Sequence, residues 1–235
     1  MGRTIRWPAD EAASANERDE VDRKIPEATV ARLPLYLQVL VEAAETGTST
    51  LSSDELARGA GLNSAKVRKD LSSLGTYGTR GVGYPVTELV AEISQVLGLT
   101  GDRRVVIVGI GNLGTALASY GGFARQGFAV VGLIDADPVK VGTRVGPLVV
   151  ESTDDLPEIV ARRNVTFAVL SVPAENAQDA ADTIVAAGIT AILSFVPIHL
   201  DVSDHVTVRT VDLSTELQIL SFYEQMSSIA HAAAG

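Results

Sequence analysis

The sequence predicts an α/β protein of two domains: a small N-terminal winged-helix domain and a C-terminal domain built on a doubly wound, mostly parallel sheet. Two short helical segments separated by a glycine precede a glycine-rich hairpin in residues 53–84, which is the order of elements in a winged helix. From Arg104 onward, apolar strands alternate with helical stretches, as is typical of a parallel sheet with helices on both faces. The 235-residue chain is long enough for two such cores.

Composition excludes several classes of function. The chain contains no cysteine, which excludes disulfides, thiolate metal sites and a cysteine nucleophile. No apolar stretch approaches the roughly 20 residues that a membrane span needs, and the start of the chain lacks the apolar segment of a signal peptide. We therefore expect a cytoplasmic protein without a membrane or metal partner, in which any redox response depends on a bound ligand.

The winged-helix domain is predicted over 24–86, after a tail. Residues 1–23 are polar, mixed in charge and without a helical apolar period, so we expect them to be disordered. Apolar residues at three- and four-residue spacings from Glu27 predict one amphipathic helix that ends near Thr46 and is bent at Pro34.

A helix-turn-helix is predicted next. Residues 52–55 combine serines with acidic side chains, a pattern that starts a helix, and Gly61 ends it. Asn63 or Ser64 caps a second helix over 65–74, whose apolar residues face inward. The spacing is that of a DNA-binding helix-turn-helix, with the second helix in the recognition position.

Side chains suited to DNA lie on this second helix and on the hairpin that follows it. Residues 75–84 hold four glycines among β-forming residues, which predicts a tight hairpin, or wing, with its tip near Arg80. Although the formal net charge is −10, residues 62–84 carry four basic side chains against Asp70, a small basic surface. The predicted DNA-binding residues are Ser64, Lys66, Arg68, Lys69, Ser72, Tyr77 and Arg80.

The C-terminal half is divided into a linker, a sheet domain and a final helix. A linking helix and hinge are predicted over 87–102, the sheet domain over 103–213, and an amphipathic helix with an interacting apolar face over 214–230. The predicted strands of the sheet are 105–108, 129–134, 166–170, 191–195 and 206–211, and its predicted helices are 113–125, 154–163 and 174–187.

The turn after the first of these strands is predicted to bind a dinucleotide. Gly109-Ile110-Gly111-Asn112-Leu113-Gly114 forms a GxGxxG motif between strand and helix. The first glycine permits the turn, the second lets a pyrophosphate approach the backbone, and the third lets helix and strand pack closely, as in a Rossmann domain. Asp135 lies 21 residues after Gly114, with Asp137 and Lys140 nearby. A carboxylate there accepts hydrogen bonds from the adenosine ribose and repels a 2′-phosphate, which favours NAD over NADP; coenzyme A is the main alternative.

Further cofactor contacts are expected beyond the carboxyl ends of the other strands, where open parallel sheets bind ligands. Ser171, Val172 and Pro173 follow one strand, and Phe195 and Pro197 follow another. They are candidates for the nicotinamide or ribose pocket, although prolines after strands are also ordinary loop formers. With the glycine turn, these residues predict a site for NADH and NAD⁺.

Residues for dehydrogenase chemistry are scarce. Such an enzyme needs a proton donor or acceptor beside its substrate, yet Lys140 is the one lysine after residue 103, and no Tyr-x-x-x-Lys occurs. The three histidines, His199, His205 and His231, lack metal-ligand spacing and are interpreted as solvated surface residues. We therefore predict a binding protein with no catalytic residue, in which the cofactor is a signal.

Four segments resemble the Rex family of redox-sensing transcriptional repressors. They are residues 24–36 (KIPEATVARLPLY), 67–71 (VRKDL), 77–84 (YGTRGVGY) and 108–114 (VGIGNLG). The likeness extends from Lys24 to Tyr223, and the pairing of the wing with the glycine motif is highly specific. The resemblance implies a homodimer that binds a palindromic operator in double-stranded DNA and is released when NADH binds, so that transcription follows the NADH/NAD⁺ ratio.

The resemblance also implies a way in which the subunits communicate. In the family, the last helix, here 214–229, is exchanged between subunits. Tyr120 and Asp212 match a tyrosine and an aspartate that join an arginine of the first helix in a ligand-sensitive network across the dimer. Gln38 occupies the position of that arginine, and Arg32 lies one and a half turns earlier. The chain departs from the family pattern here.

Two other classes of function remain open from the sequence. One is an NAD-dependent or coenzyme A-linked enzyme, which turnover of alcohols, acids or acyl-coenzyme A would reveal. The other is a DNA-binding protein whose C-terminal domain serves only for dimerisation, in which case nucleotides leave DNA binding unchanged. Two local predictions also have alternatives. The basic side chains of the second helix would then form an ordinary solvated helix face, and Tyr120 would only pack within its own domain.

Overall fold

The structure is a computed structural model that describes residues 25–75, 78–79 and 81–233, with side chains as far as Met226. The predicted tail at 1–23 and the wing residues Tyr77 and Arg80 lie outside the described residues. The chain divides into two compact units, Met1–Thr100 and Gly101–Gly235. Each unit has its own hydrophobic core.

The described part of the first unit contains five helices and a two-stranded sheet. In chain order these are Glu27–Val30 (α1), Leu33–Glu45 (α2), Thr50–Leu51 (β1), Ser53–Gly59 (α3), Ser64–Leu74 (α4), Tyr84–Pro85 (β2) and Val86–Val96 (α5). The side chains buried at its centre include Leu33, Tyr36, Leu40, Leu56, Val67, Leu71, Leu89 and Ile93. Apolar residues from every α-helix after α1 therefore share one core.

The single helix predicted over 27–46 is wrong, because the chain forms α1 and α2 with a break at Ala31 and Arg32. In a continuous helix, the nitrogen of Pro34 would have to donate a hydrogen bond to the carbonyl of Val30, which proline cannot do. The break instead places Pro34 in the first turn of α2, where no N–H is needed.

The helix pair α3–α4 begins as its sequence predicts. Ser52 and Glu55 form a reciprocal capping box, in which each side chain accepts a hydrogen bond from the backbone N–H of the other residue. The Asn63 side chain caps α4 by accepting from the N–H of Lys66. Gly75 ends α4 with φ at 90°, a conformation that favours glycine. The helix-turn-helix is confirmed.

The wing is tied to the rest of the first unit by a strand pair. Thr79 and Gly83 exchange two backbone hydrogen bonds of 2.9 Å, so the chain turns tightly between them, as expected. Beyond this bridge, β2 pairs antiparallel with β1, a partner that the sequence pattern does not indicate. Glycine is required at 83, because a Cβ there would collide with the carbonyl of Leu51.

Residues 87–102 are predicted to form a linker helix and hinge, but α5 belongs to the core of the first unit. Val86, Leu89 and Ile93 are almost fully buried, and the helix packs against α2. Their spacing gives α5 an apolar face, and such a face is stable only against another apolar surface. The unit boundary falls after Thr100.

The second unit is built on a seven-stranded sheet with the order β5-β6-β4-β3-β7-β8-β9. Its strands are Arg103–Val108 (β3), Phe128–Asp135 (β4), Arg144–Val145 (β5), Leu148–Ser152 (β6), Phe167–Leu170 (β7), Ala191–Ser194 (β8) and Thr207–Thr210 (β9). Every neighbouring pair is parallel except β5–β6. The doubly wound sheet is confirmed, and the β5–β6 hairpin is an addition that the sequence pattern does not indicate.

The described part of the second unit contains five α-helices. They are Asn112–Ala118 (α6), Gly121–Arg125 (α7), Leu156–Arg163 (α8), Ala177–Ala186 (α9) and Leu213–Ala233 (α10), with short 3-10 turns at Thr153–Asp155 and Ala174–Asn176. The helix predicted over 113–125 is interrupted, because α6 ends at Ala118 and Tyr120 is extended. The Tyr120 ring lies where a Cβ on Gly122 would be, so the glycine permits this reversal.

One face of the sheet is left partly uncovered. An apolar groove of about 310 Å³ is lined mainly by Val105, Phe123, Phe128, Phe167, Val169 and Leu193. The opposite face packs against the apolar sides of α8 and α9. Among the described residues, none of the helices combines the length and the apolar character of a membrane span.

Candidate functional site

The glycine turn between β3 and α6 has the geometry that its motif predicts. Gly109 has φ at 94°, and a Cβ there would lie 2.6 Å from the carbonyl oxygen of Ser171. A Cβ on Gly114 would collide with the Gly109 carbonyl, so α6 packs tightly on the turn. Gly111 differs, because a Cβ there would meet no atom within 4 Å. The turn therefore leaves space at its second glycine, where a pyrophosphate fits.

The first turn of α6 supplies donors beside this space. Asn112 and Leu113 directly follow Gly111, and both side chains are exposed. The backbone N–H groups of a first helical turn have no partner within the helix, and they favour the oxygens of an anion. These two residues therefore fit the pyrophosphate of a dinucleotide.

Asp135 ends β4 and is almost buried, with 7% of its surface exposed. Its Oδ2 accepts hydrogen bonds from the N–H of Ile110 at 2.7 Å and from Lys140 Nζ at 2.9 Å, and its Oδ1 accepts from the N–H of Asp137 at 2.9 Å. Burial would raise the pKa of Asp135, but these donors outweigh it and hold the pKa below its ordinary value. The carboxylate therefore fixes the glycine turn, and its predicted bonds to a ribose would add to these three.

The carboxyl ends of β3 and β7 are neighbours in the sheet, which brings predicted residues together. The Ser171 hydroxyl donates to the carbonyl of Gly109 at 2.9 Å. Val172 lies on the same side, because a Cβ on Gly109 would come within 2.6 Å of its Cγ1. These two residues shape the glycine turn directly.

The remaining predicted cofactor residues follow β7 and β8. Phe195 donates its N–H to the carbonyl of Leu170 at 2.9 Å and packs against the apolar cluster of one sheet face. Pro173 and Pro197 are exposed. That these residues line a nicotinamide pocket stays a prediction.

The recognition helix α4 presents most of its predicted DNA-binding side chains to solvent. Ser64, at its first position, is half-buried, whereas four others are exposed: Lys66, Arg68, Lys69 and Ser72. Arg68 Nη1 donates to Ser53 Oγ of α3 at 2.9 Å. This bond joins the exposed faces of the two helices.

The opposite face of α4 carries a buried acidic side chain. Asp70 is 2% exposed and accepts two hydrogen bonds of 2.7 Å from the Arg32 guanidinium, through Nε and Nη2. The hydroxyls of Tyr36 and Thr29 donate to the same carboxylate at 2.7 and 3.0 Å. Burial would raise the pKa of Asp70, but these donors outweigh it and lower the pKa. This Asp70 cluster (Thr29, Arg32, Tyr36 and Asp70) joins α1 and α2 to α4.

The Asp70 cluster is missing from the predicted site residues, although the sequence contains a signal for it. Asp70 follows Val67 by three residues and precedes Leu74 by four, so it lies on the inward stripe of α4. A carboxylate on that stripe needs a buried cation or several donors. Arg32, a predicted network residue, is engaged by this carboxylate, while Gln38 is exposed on α2.

Two further network residues belong to the second unit. Tyr120 is 55% exposed and packs edge-to-face on Phe123 at 5.4 Å between ring centres. Asp212 caps α10, because its carboxylate accepts from the N–H and hydroxyl of Ser214 and from the hydroxyl of Thr215. These hydrogen bonds, from Ser214 above all, lower the pKa of Asp212 and keep an anion at the start of the helix.

In the part of the chain that the structure describes, no group of three or more His, Cys, Asp or Glu side chains could hold a metal ion. His199 and His205 are exposed, and the side chain of His231 lies outside the described residues.

Two family models match separate parts of the chain. One, described as putative DNA-binding protein N-terminus, matches residues 24–72, and the other, described as CoA binding domain, matches residues 100–198. The first match spans α1 to α3 and most of α4. The second includes the glycine turn and Asp135.

Relatives of known name extend over most of the chain. It is 58% identical to the redox-sensing transcriptional repressor Rex of Streptomyces avermitilis over 212 residues, 90% of this chain and 84% of that protein. A crystal structure of RSP with β-NAD⁺ and operator DNA has a TM-score of 0.79 and 34% identity, covering 88% of this chain and 96% of that one. A structure of RSP with β-NADH has a TM-score of 0.77 and 33% identity, covering 87% and 96%. The resemblance of the four sequence segments is thus confirmed across both units, and the chain belongs to the Rex family of redox-sensing transcriptional repressors.

Proposed function

We propose that this chain is a redox-sensing transcriptional repressor that binds operator DNA as a homodimer and is released when NADH binds. One observation carries the proposal: the chain combines a glycine turn that is open at Gly111 with a helix-turn-helix whose second helix exposes Lys66 and Lys69. The structures of RSP support it, because one is a complex with β-NAD⁺ and operator DNA and another is a complex with β-NADH. Transcription then follows the NADH/NAD⁺ ratio.

Residues 24–86 are proposed to bind DNA. Two copies of α4 would enter successive major grooves of a palindromic operator, about 34–36 Å apart. Polar and basic side chains of α4 would contact base edges and phosphates, while an arginine at the tip of the wing suits a narrow minor groove. The proposed contacts are Ser64, Lys66, Arg68, Lys69, Ser72, Tyr77 and Arg80.

Residues 103–213 are proposed to bind the nucleotide. Asn112 and Leu113 would donate N–H groups to the pyrophosphate, in the space left by Gly111, and Asp135 would accept from the adenosine ribose. The nicotinamide end is assigned to Ser171, Val172, Pro173, Phe195 and Pro197. An apolar pocket there favours the uncharged dihydronicotinamide over the cationic ring of NAD⁺, because burying an unpaired charge is costly.

The C-terminal helix, 214–230, is proposed to form the homodimer by exchange between subunits. Its described part exposes six large apolar side chains: Leu217, Ile219, Leu220, Phe222, Tyr223 and Met226. An exposed apolar surface of this extent indicates a binding surface. The apolar groove on the sheet of a second copy offers a chemically matching surface.

NADH is proposed to shift the dimer from a state in which the two α4 helices match the spacing of the operator to a state in which they do not. Moving the population from 1:99 to 99:1 needs about 5.5 kcal/mol of differential affinity. Tyr120 and Asp212 are proposed to transmit this preference across the dimer. Gln38 cannot pair with a carboxylate as an arginine does, so the network here would act without that ion pair.

The remaining assignments follow from this function. A cytoplasmic location is proposed, since operator DNA and nicotinamide nucleotides meet there. No enzymatic activity is assigned, in agreement with the names of the relatives as transcriptional repressors.

Fluorescence anisotropy tests the proposal. A palindromic duplex that the protein selects from a random library is labelled, bound at fixed salt and titrated with NADH, NAD⁺ and coenzyme A. Release by NADH at far lower concentration than by NAD⁺ supports a redox repressor. If both nucleotides bind without changing DNA affinity, the proposal is contradicted in favour of a sheet domain used only for dimerisation; regained release in Gln38→Arg would locate the fault in the network.

A further inference from the structure

We infer that Ser53 is a positioning residue for operator recognition, which holds the Arg68 guanidinium in one orientation so that Arg68 discriminates between base pairs. The inference rests on the proposed function, because Arg68 is one of the proposed DNA contacts. It adds α3, the first helix of the helix-turn-helix, to the elements that determine sequence specificity.

Arg68 differs from the two lysines of α4 in having a side-chain partner. Its Nη1 donates to Ser53 Oγ at 2.9 Å. Within the described residues, no side-chain hydrogen bond or ion pair holds Lys66 or Lys69. The lysines are therefore flexible point charges, whereas Arg68 presents a planar group whose orientation is fixed.

Both members of this hydrogen bond are attached to backbone that is itself held in place. Ser53 is the first residue of α3 and directly follows Ser52, whose capping box with Glu55 fixes the start of that helix. Arg68 directly follows Val67, whose side chain is fully buried in the core. Because α3 packs against α4, the core sets the distance between the two backbones. The hydrogen bond therefore restricts the mobile end of Arg68.

The partner of Arg68 is neutral, which preserves the charge of the guanidinium. In the described part of the chain, no carboxylate forms an ion pair with Arg68, although Asp54 directly follows Ser53. A carboxylate in the place of the Ser53 hydroxyl would cancel much of the attraction between Arg68 and DNA. Serine orients the guanidinium without this loss.

Enough donors remain on Arg68 to read a base. A guanidinium has five N–H donors in a planar fork, and the bond to Ser53 uses one of them. Arg68 is exposed, so the others are accessible to DNA, and two parallel N–H groups can bind the edge of one base in the major groove. An orientation that is fixed before binding reduces the entropy lost when the side chain is ordered on DNA.

Fluorescence anisotropy of the full chain at fixed salt tests the inference. It measures the affinity for the selected palindromic duplex and for duplexes in which each base pair is substituted in turn. The base pair that Arg68 contacts is the one at which Arg68→Ala no longer discriminates. Ser53→Ala should lose part of the discrimination at that base pair and weaken operator binding about tenfold, because Arg68 must then be ordered on DNA in both subunits. Ser53→Thr keeps the hydroxyl and should retain the discrimination.

Two controls separate positioning from loss of charge or of stability. Ser53→Ala removes no charge, so the salt dependence of operator binding should not change. Ser94→Ala removes the hydroxyl of a half-buried serine on α5, and this matched control should bind DNA as wild type does. The side chain that caps α3 is that of Ser52, so Ser53→Ala should keep the fold, and thermal unfolding checks this.

A double-mutant cycle separates positioning from a direct contact of Ser53 with DNA. If Ser53 acts through Arg68, adding Ser53→Ala to the Arg68→Ala protein should have no further effect. An equal loss in both backgrounds, wild-type discrimination in Ser53→Ala, or unchanged discrimination at every base pair in Arg68→Ala overturns the inference and leaves the proposed function standing. If the unmodified protein selects no palindromic duplex, the proposed function fails and the inference fails with it.

Discussion

Asp70 is the residue that most directly ties the orientation of the recognition helix to the rest of its unit. It carries a negative charge at 2% exposure, and such a charge is stable only beside groups that replace water. Arg32 supplies a two-bond contact from the α1–α2 break, and the Tyr36 hydroxyl adds a third bond. Pro34 enforces the break between α1 and α2. This break places the Arg32 guanidinium where it binds Asp70 of α4.

We predict that Asp70→Asn destabilises the first unit by about 3 kcal/mol, because the partly buried Arg32 guanidinium loses its anion. Operator affinity should fall as well, while NADH affinity is unchanged. Chemical denaturation followed by circular dichroism measures the free energy of unfolding. Asp54→Asn, at an exposed acid of α3, is the matched control, and equal stability of the two variants would show that the Asp70 cluster contributes nothing.

The Asp70 cluster also predicts how the stability difference between wild type and Asp70→Asn changes with pH. The folded pKa of Asp70 is lowered, so its contribution is present above the ordinary aspartate value of about 3.9 and is lost as the pH falls through the folded pKa. The pKa of Tyr36 is raised, chiefly by burial, so its contribution is lost as the pH rises beyond about 10. The stability difference between wild type and Asp70→Asn should be constant between these limits and shrink towards acid.

At the scale of elements, the three glycines of the β3–α6 turn have different roles: two are required by the fold, and one is available for binding. Gly109 and Gly114 are needed by the chain itself, because side chains there would meet backbone atoms. Gly111 is not, since a Cβ there would project into open space and its backbone is extended. Within the GxGxxG motif, Gly111 is therefore the glycine that the packing of the chain does not require, as expected if it leaves room for a pyrophosphate.

Gly111→Val is expected to abolish NADH binding and leave thermal stability nearly unchanged, because the new side chain fills the space of the pyrophosphate. Operator binding should persist and no longer respond to NADH. Calorimetric titration and thermal unfolding measure the two effects. Gly121→Val is the matched control, because a Cβ there also meets no atom within 4 Å; wild-type NADH affinity in Gly111→Val would place the nucleotide elsewhere.

Elements that are specified by a short, local sequence pattern are predicted well. The geometry of the glycine turn, the helix start at 52–55, the cap at Asn63, which is one of the two candidates, and the alternation of strands and helices all follow from patterns within a few residues, and each is confirmed. Contacts between distant segments are not predicted. Asp70 and Arg32 are 38 residues apart, and the pairing of β1 with β2 depends on the fold of everything between them.

The candidate site shows the same limit. Asp135 is predictable from its distance to the glycine motif, but its bonds to Ile110 and Lys140 depend on how the β4 loop returns to the turn. The helix α5 looks like a linker in the sequence because its apolar face has no obvious partner there. In the structure α2 provides that partner.

At the scale of the whole molecule, charge is distributed unevenly. The chain has a formal net charge of −10, whereas α4 exposes three basic side chains: Lys66, Arg68 and Lys69. DNA attracts clustered basic groups and repels an acidic surface. The acidic remainder should therefore confine binding to the recognition helices and wings of the two subunits of a dimer, and operator affinity should depend on both subunits.

Disrupting α10 should halve the salt dependence of operator binding. Leu217 and Leu220 are 68% and 61% exposed, so replacing both with aspartate should spare the fold of the chain and prevent dimer formation. Each phosphate contact contributes a slope of about −0.9 to log K against log salt concentration. A monomer with one α4 makes half of these contacts, so its slope should be about half that of the dimer and its operator affinity much lower.

Sedimentation velocity measures the oligomeric state, and anisotropy at several salt concentrations measures the slope. Ser221→Asp, at an exposed polar position of the same helix, adds a charge without removing apolar surface and should remain a dimer with the full slope. A Leu217→Asp/Leu220→Asp variant that is still dimeric would contradict the proposed exchange of α10. A monomeric variant with an unchanged slope would instead mean that one subunit makes all the phosphate contacts, which a palindromic operator does not allow.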